Sequence, residues 1–152
     1  MVLLGVLILI QAVKADSSIV MGWLETVSIE IGAEQHTIKA KIDTGADHSS
    51  LHAIHIKLFS QQGQAWVQFL AFGNRTFELP VYRTARIKTK NNELQERPVV
   101  QLMLCLNGQK RRVDVNLVDR SRFSRPLLIG RSALSGFLIN PSQTNLLAQS
   151  IC

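Results

Sequence analysis

The sequence predicts an all-β domain, a small barrel or sandwich of short strands with one short helix near the C-terminal end. Three observations carry this. From Trp23 onward apolar residues recur with a period of two, as half-buried strands require. Turn-forming residues separate these runs at short, regular intervals. A helical period is almost absent.

The elements follow in order. Val27, Ile29 and Ile31 alternate with Ser28 and Glu30, and Gly32-Ala33-Glu34 ends that run. Ile38, Ala40 and Ile42 alternate with Lys39 and Lys41. Residues 66–70, Trp-Val-Gln-Phe-Leu, form an aromatic and β-branched run between turns at Gln61-Gln62-Gly63 and Gly73-Asn74. After Asn91-Asn92, the positions Val100, Leu102, Leu104 and Leu106 alternate with Gln101, Met103 and Cys105. Asn107-Gly108 is a hairpin turn, because both residues accept a left-handed backbone, and Val113, Val115 and Leu117 return beyond it. Pro98 and Pro126 read as strand-edge punctuation. Residues 131–134, just after Gly130, are the helical candidate.

Composition excludes several classes. The 152 residues suit one domain and hold one copy of a catalytic half rather than two. Hydrophobic residues make up 46% and charged residues 18%, which is not the composition of a disordered tail or a fibre. The net charge is +6, but the bases are scattered and not interleaved with aromatics, so the charge reads as a solvated basic face and not as a nucleic-acid site. No apolar run approaches the ~20 residues of a spanning helix, so no transmembrane helix is expected. Residues 2–10 are wholly apolar, and small residues follow at Val13 and Ala15. This resembles a signal peptide over 1–15, cleaved near Ala15, and implies a periplasmic or secreted domain that begins near Gly22 and runs to about residue 148. The run lacks a basic start, so an uncleaved N-terminal membrane anchor stands as the alternative.

The chemical signal is at 39–52. A strand ending at Ile42 runs into Asp43-Thr44-Gly45-Ala46. In aspartic peptidases such a triplet follows a strand. The Asp supplies a carboxylate, the Thr hydroxyl orients the loop, and a glycine lets backbone N–H groups approach the carboxylate. A companion piece is Leu127-Leu128-Ile129-Gly130, an apolar strand expected to thread under that loop, with Gly130 permitting close packing.

Together these stretches resemble the bacterial retropepsin-like aspartic peptidases, a family that also carries the label ATP-dependent zinc protease. The matching residues are Gly22-Trp23 with Glu25, then 39–53, Arg97-Pro98-Val99, 127–134 and 137–142. The resemblance covers about residues 22–147. It implies a closed acid-protease barrel of about six strands and a catalytic Asp43. Some family members occur alongside ATP-grasp glutamate ligases, and that neighbourhood alone suggests a peptidoglycan- or polyglutamate-directed hydrolase. Asp47 departs from the family pattern, and an extra acid four residues from Asp43 would raise the catalytic pKa or repel substrate.

Aspartic catalysis uses two carboxylates sharing one proton, and this chain has one D-T-G. The second Asp43 is therefore expected from another copy across a two-fold axis, in a homodimer acting on peptide or protein. The hairpin cover is expected within 69–83, with Phe72, Gly73 and Asn74 at its tip. No cofactor is expected. The alternative is zinc on His48, His52 and His55, whose spacing would share a face on a helix, although no H-E-x-x-H is present. In a strand His55 points away from the other two, and His52 reads as a packing or hydrogen-bonding residue. A non-catalytic peptide- or partner-binding domain of the same fold is the other alternative. Cys105 and Cys152 could pair in an oxidising compartment, but the simpler reading is two unrelated thiols.

Overall fold

The computed structural model describes residues 18–89, 91–148 and 151–152. The N-terminal run read as a leader or anchor lies outside the described residues. The strands are β1 (Ile19–Ile31), β2 (Glu34–Asp43), β3 (Ser49–His52), β4 (Ile54–Gln61), β5 (Gln64–Ala71), β6 (Arg75–Pro80), β7 (Arg83–Lys88), β8 (Leu94–Leu106), β9 (Gln109–Val118), β10 (Leu127–Gly130) and β11 (Phe137–Thr144). The expected helix is a single 3-10 turn, Arg131–Ala133. Among the described residues no helix is long and apolar enough to cross a membrane.

Six strands close on themselves. β1 pairs with β2, β2 with β10, β10 with β3, β3 with β9, β9 with β8, and β8 returns to β1 through Ser28–Glu30. The β2–β10 and β3–β9 pairs are parallel. The alternating residues of the sequence fill this ring. Val27, Ile29, Ala40, Leu104, Val115, Leu127 and Ile129 are completely buried in one cluster. Burying a side chain of this size contributes about 1.5–3 kcal/mol, so the ring is held mainly by its filling. Asn107 and Gly108 join β8 to β9 with φ of 52° and 75°, the left-handed pair that a two-residue hairpin needs.

Three further features hang on this ring. β4, β5 and β6 form a separate three-stranded sheet whose Val67, Phe69 and Phe77 enter the same core cluster. β7 lies only against the first half of β8, and the hairpin they form spans 83–99. Pro98 lies inside β8 and not at its edge. Its missing N–H is tolerated because β8 has only β7 beside it there, and β9 joins at Val99. β11 runs parallel to β1 at the outer edge of the barrel sheet.

The C-terminal segment is tied down twice. Glu25, 2% exposed, accepts hydrogen bonds from the N–H groups of Gly22 (2.6 Å), Leu146 (2.9 Å) and Leu147 (3.3 Å). Cys105 and Cys152 are joined in a disulfide, with Cα atoms 5.6 Å apart, which corrects the reading of two unrelated thiols. Sequence separation hid this pairing. The chain after β11 turns back toward the end of β8, where Ala148 N–H donates to Asn107 Oδ1 at 3.0 Å.

Glu25→Ala should lower stability by about 3 kcal/mol, because it strands three donors that a buried carboxylate now satisfies. Urea unfolding should show a lower midpoint at unchanged slope, with Glu25→Gln intermediate.

Candidate active site

Asp43 is the last residue of β2, where the parallel neighbour β10 places Gly130 beside it. Its Oδ1 accepts a hydrogen bond from Gly45 N–H at 3.1 Å, and its carbonyl accepts one from Ala46 N–H at 3.3 Å. A Cβ on Gly45 would stand 3.3 Å from Asp43 Oδ1, so glycine leaves the carboxylate unobstructed. The Asp43 side chain is 28% exposed, with Lys41 Nζ 3.6 Å from Oδ2. Thr44 and Gly45 are exposed in the turn that follows.

The loop after Asp43 is gripped from below. Arg131 N–H donates to Ala46 O at 2.8 Å, Ser132 N–H to Asp47 O at 3.1 Å, and Gly130 N–H to Ser49 Oγ at 3.2 Å. A Cβ at Gly130 would come within 2.5 Å of the His48 backbone and 2.9 Å of Ala46 O. Leu128 and Ile129 lead into this contact beside Lys41 and Ile42.

Two arginines missed by the motif reading adjoin the site. Arg120 is 6% exposed. It donates to Ser50 Oγ (2.7 Å) and Arg125 O (3.2 Å), and its guanidinium lies 4.6 Å from the centre of the Phe123 ring. Burial lowers its pKa from the ordinary arginine value, the charge of Arg97 adds to that, and the charge of Asp43 works the other way. Arg97 is held by Gln95 Oε1 and donates to Asn116 Oδ1 at 3.3 Å, and burial lowers its pKa. Arg97 belongs to the quoted Arg97-Pro98-Val99 stretch, which was the available signal. Arg120 was one base among many, and only its burial distinguishes it.

The other expected residues are dispersed. Asp47 is ion-paired with Arg131, so its charge does not stand alone beside Asp43. His48 is exposed in the loop. His52 Nδ1 accepts a hydrogen bond from Arg120 N–H at 2.9 Å and lies 3.6 Å from Asp119. Asp119 has a lowered pKa, chiefly because Ser121 donates to it through both its N–H and its hydroxyl. His55 sits exposed in an irregular stretch of β4 with a φ of 51°. The three histidines therefore do not converge, and among the described residues no three His, Cys, Asp or Glu side chains form a group able to hold a metal.

Phe72, Gly73 and Asn74 are not placed to cover Asp43. They form the β5–β6 turn, and Phe72 stacks on His36 with ring centroids 4.2 Å apart. His36 is near the start of β2 and Asp43 at its end, seven residues later, which is on the order of 23 Å along a strand. The hairpin on the Asp43 side is 83–99, whose Arg97 reaches the site through Asn116. Its turn was legible at Asn91-Asn92, but the short, exposed β7 was not recognised as its partner.

A family model described as RimB-like, retropepsin-like aspartic endopeptidase RimB, matches residues 20–149. The chain belongs to this family. Among curated proteins, one named "Probable alpha-L-glutamate ligase" from Shewanella halifaxensis is 33% identical over 120 residues, covering 74% of this chain and 26% of that protein. A protein of the same name from Desulfotalea psychrophila is 33% identical over 109 residues, covering 67% of this chain and 24% of that protein. The RimB-like chain thus spans about a quarter of the length of these curated relatives. A solved structure, a DUF785 protein of unknown function from Legionella pneumophila, matches with a TM-score of 0.69 at 30% identity, covering 85% of this chain and 98% of that one.

Gly130→Ala should destabilise the domain by about 1–3 kcal/mol, because the added methyl meets backbone that cannot rotate aside. Amide exchange at Arg131 and Ser132 should accelerate more than at β8, which would localise the damage to the grip on the Asp43 loop.

Proposed function

We propose that the domain is an aspartic endopeptidase that works as a homodimer, with Asp43 of each copy forming the dyad. The observation that carries this reading is the seat of Asp43. Its carboxylate is accessible at a strand end, aligned by Gly45 N–H, in a loop held rigid by β10 and the 3-10 turn. One such carboxylate is half of the required pair. Two copies meeting at a two-fold axis would place two like charges together, and such a pair retains one proton between them.

In the proposed reaction the ionised Asp43 takes a proton from water as the water oxygen attacks the scissile carbonyl carbon. The protonated Asp43 gives its proton to the carbonyl oxygen. The tetrahedral intermediate then collapses, the C–N bond breaks, the leaving nitrogen receives a proton from one Asp43, and a hydroxyl of the intermediate returns its proton to the other, which restores the shared proton. The 83–99 hairpin, free of other strands over its outer half, is the segment proposed to close over bound peptide.

Asp43→Asn should abolish peptide cleavage while leaving the fold and the dimer intact. The loss should exceed the ~10²–10⁴-fold of one acid–base group, because one substitution alters both halves of the dyad. Wild-type rates should follow a bell on the acid side of neutrality, and EDTA should leave them unchanged. Full activity in Asp43→Asn, or activity that follows added zinc, would overturn the mechanism. Sedimentation should find dimers under assay conditions.

The reading extends to the substrate. Arg97 and Arg120 adjoin the site and have no ion-pair partner among the described residues. The relatives named glutamate ligases point to the same chemistry. We infer a peptide bearing carboxylate side chains near the cleaved bond. An internally quenched oligoglutamate peptide should be cleaved with a kcat/KM at least tenfold above its oligoglutamine counterpart, about one charge-assisted hydrogen bond's worth of preference. Equal rates would remove the charge from the recognition.

A further inference from the structure

Asn116, in β9, is 5% exposed and makes two side-chain hydrogen bonds that face opposite ways. Its Nδ2 donates to Ser49 O at 2.7 Å, at the end of the Asp43 loop. Its Oδ1 accepts from Arg97 Nη1 at 3.3 Å, at the base of the 83–99 hairpin. The chemistry leaves one orientation for this amide. Rotated by 180°, it would set a donor against the guanidinium and an oxygen against the Ser49 carbonyl. Ser49 in turn accepts the Gly130 N–H on its hydroxyl. A continuous chain of hydrogen bonds therefore runs from Arg97 through Asn116 and Ser49 to Gly130, which lies beside Asp43.

Few residues could replace Asn116. Asp keeps the shape and the acceptor but loses the donor to Ser49. Leu keeps the bulk and loses both bonds. Gln carries the same amide one methylene too far in a buried space. The requirement for one donor and one acceptor at this length is what a link between two elements needs, whereas filling the core would be served better by an apolar side chain.

We propose that Asn116 is a positioning residue that couples the 83–99 hairpin, through Arg97, to the loop that holds Asp43. This rests on the reading of Asp43 as the acid–base group. The hairpin's base and the loop then move as one unit, and displacement of Arg97 by substrate is felt at Ser49 and the residues that seat Asp43.

The test is Asn116→Asp in the full chain, assayed with the quenched oligoglutamate peptide and by amide hydrogen exchange. At neutral pH the new carboxylate faces the Ser49 carbonyl oxygen. The kcat should fall about 10- to 100-fold with KM changed by less than about threefold, the pattern of a misplaced catalytic group. Exchange at Gly45 and Arg131 should quicken. As pH falls, the protonated carboxyl regains a donor to Ser49 O, so the deficit relative to wild type should shrink. The charged groups around position 116 are Arg97, Arg120 (which bonds Ser50), Asp114 two residues along β9 and its ion-pair partner Arg83, which faces Val99, with Asp43 farther off beyond β3 and β10. All of these are present in both proteins, so the ratio isolates the new carboxyl. Arg97→Lys, at a less buried site, should show the same kcat loss, and the double variant should lose less than the sum. If Asn116→Asp keeps wild-type kcat and exchange while Asp43→Asn is inactive, the coupling is wrong and the peptidase reading stands. If the double variant is strictly additive, Asn116 and Arg97 do not act together and the proposal falls. If Asn116→Asp fails to fold, Arg97→Lys with unchanged exchange at Gly45 and Arg131 overturns it.

Discussion

The site depends on the contact between Gly130 and the loop above it. The backbone of residue 130 approaches that of His48 so closely that a methyl group would not fit. Three successive N–H groups, from Gly130, Arg131 and Ser132, then bond Ser49 Oγ, Ala46 O and Asp47 O. Loop carbonyls that would otherwise need water are satisfied by one short segment. The loop thereby takes its shape from β10, and the Asp43 carboxylate inherits the rigidity of the barrel, although it is partly exposed.

The barrel supplies that rigidity because its ring is complete. Among the pairings, β1 with β8 closes the ring and removes the free edges an open sheet would leave. Two β10 side chains, Leu127 and Ile129, are fully buried, so the strand under the loop is anchored in the core that holds β2, β8 and β9. Glu25 and the Cys105–Cys152 disulfide fasten the C-terminal segment to the same ring. Elements outside the ring are attached to it by packing against the core or along one strand edge. The β4–β6 sheet meets β2 through His36, Phe72 and the Glu34–Arg75 ion pair, and the 83–99 hairpin continues outward from β8.

Charge near Asp43 is managed by pairing and by burial. Asp47, an acid that by sequence position alone would perturb Asp43, is met by Arg131 from the 3-10 turn. Arg97 and Arg120, which have no ion pair among the described residues, are instead held by neutral oxygens of Asn116, Gln95, Ser50 and the backbone. Neutral partners fix the position of a guanidinium without cancelling its charge.

The amino-acid sequence by itself determined the strands that carry alternating core residues. Their period of two survives any arrangement that buries one face, so β1, β2, β8 and β9 were legible, as were the Asn107-Gly108 turn and the Asp43 loop with its Gly130 companion. It did not reveal β4, β6, β7 or β11. These lie at sheet edges with few buried side chains, and an edge strand has little alternation to display. It placed the expected cover at the β5–β6 turn, and which end of β2 that turn meets is not written in local sequence. The particular strand pairings that close the ring, the Cys105–Cys152 pairing and the gathering of Arg97, Arg120 and Asn116 around the site were decided by tertiary structure alone. Each joins residues far apart in the chain, and local periodicity carries no information about which distant strands become neighbours.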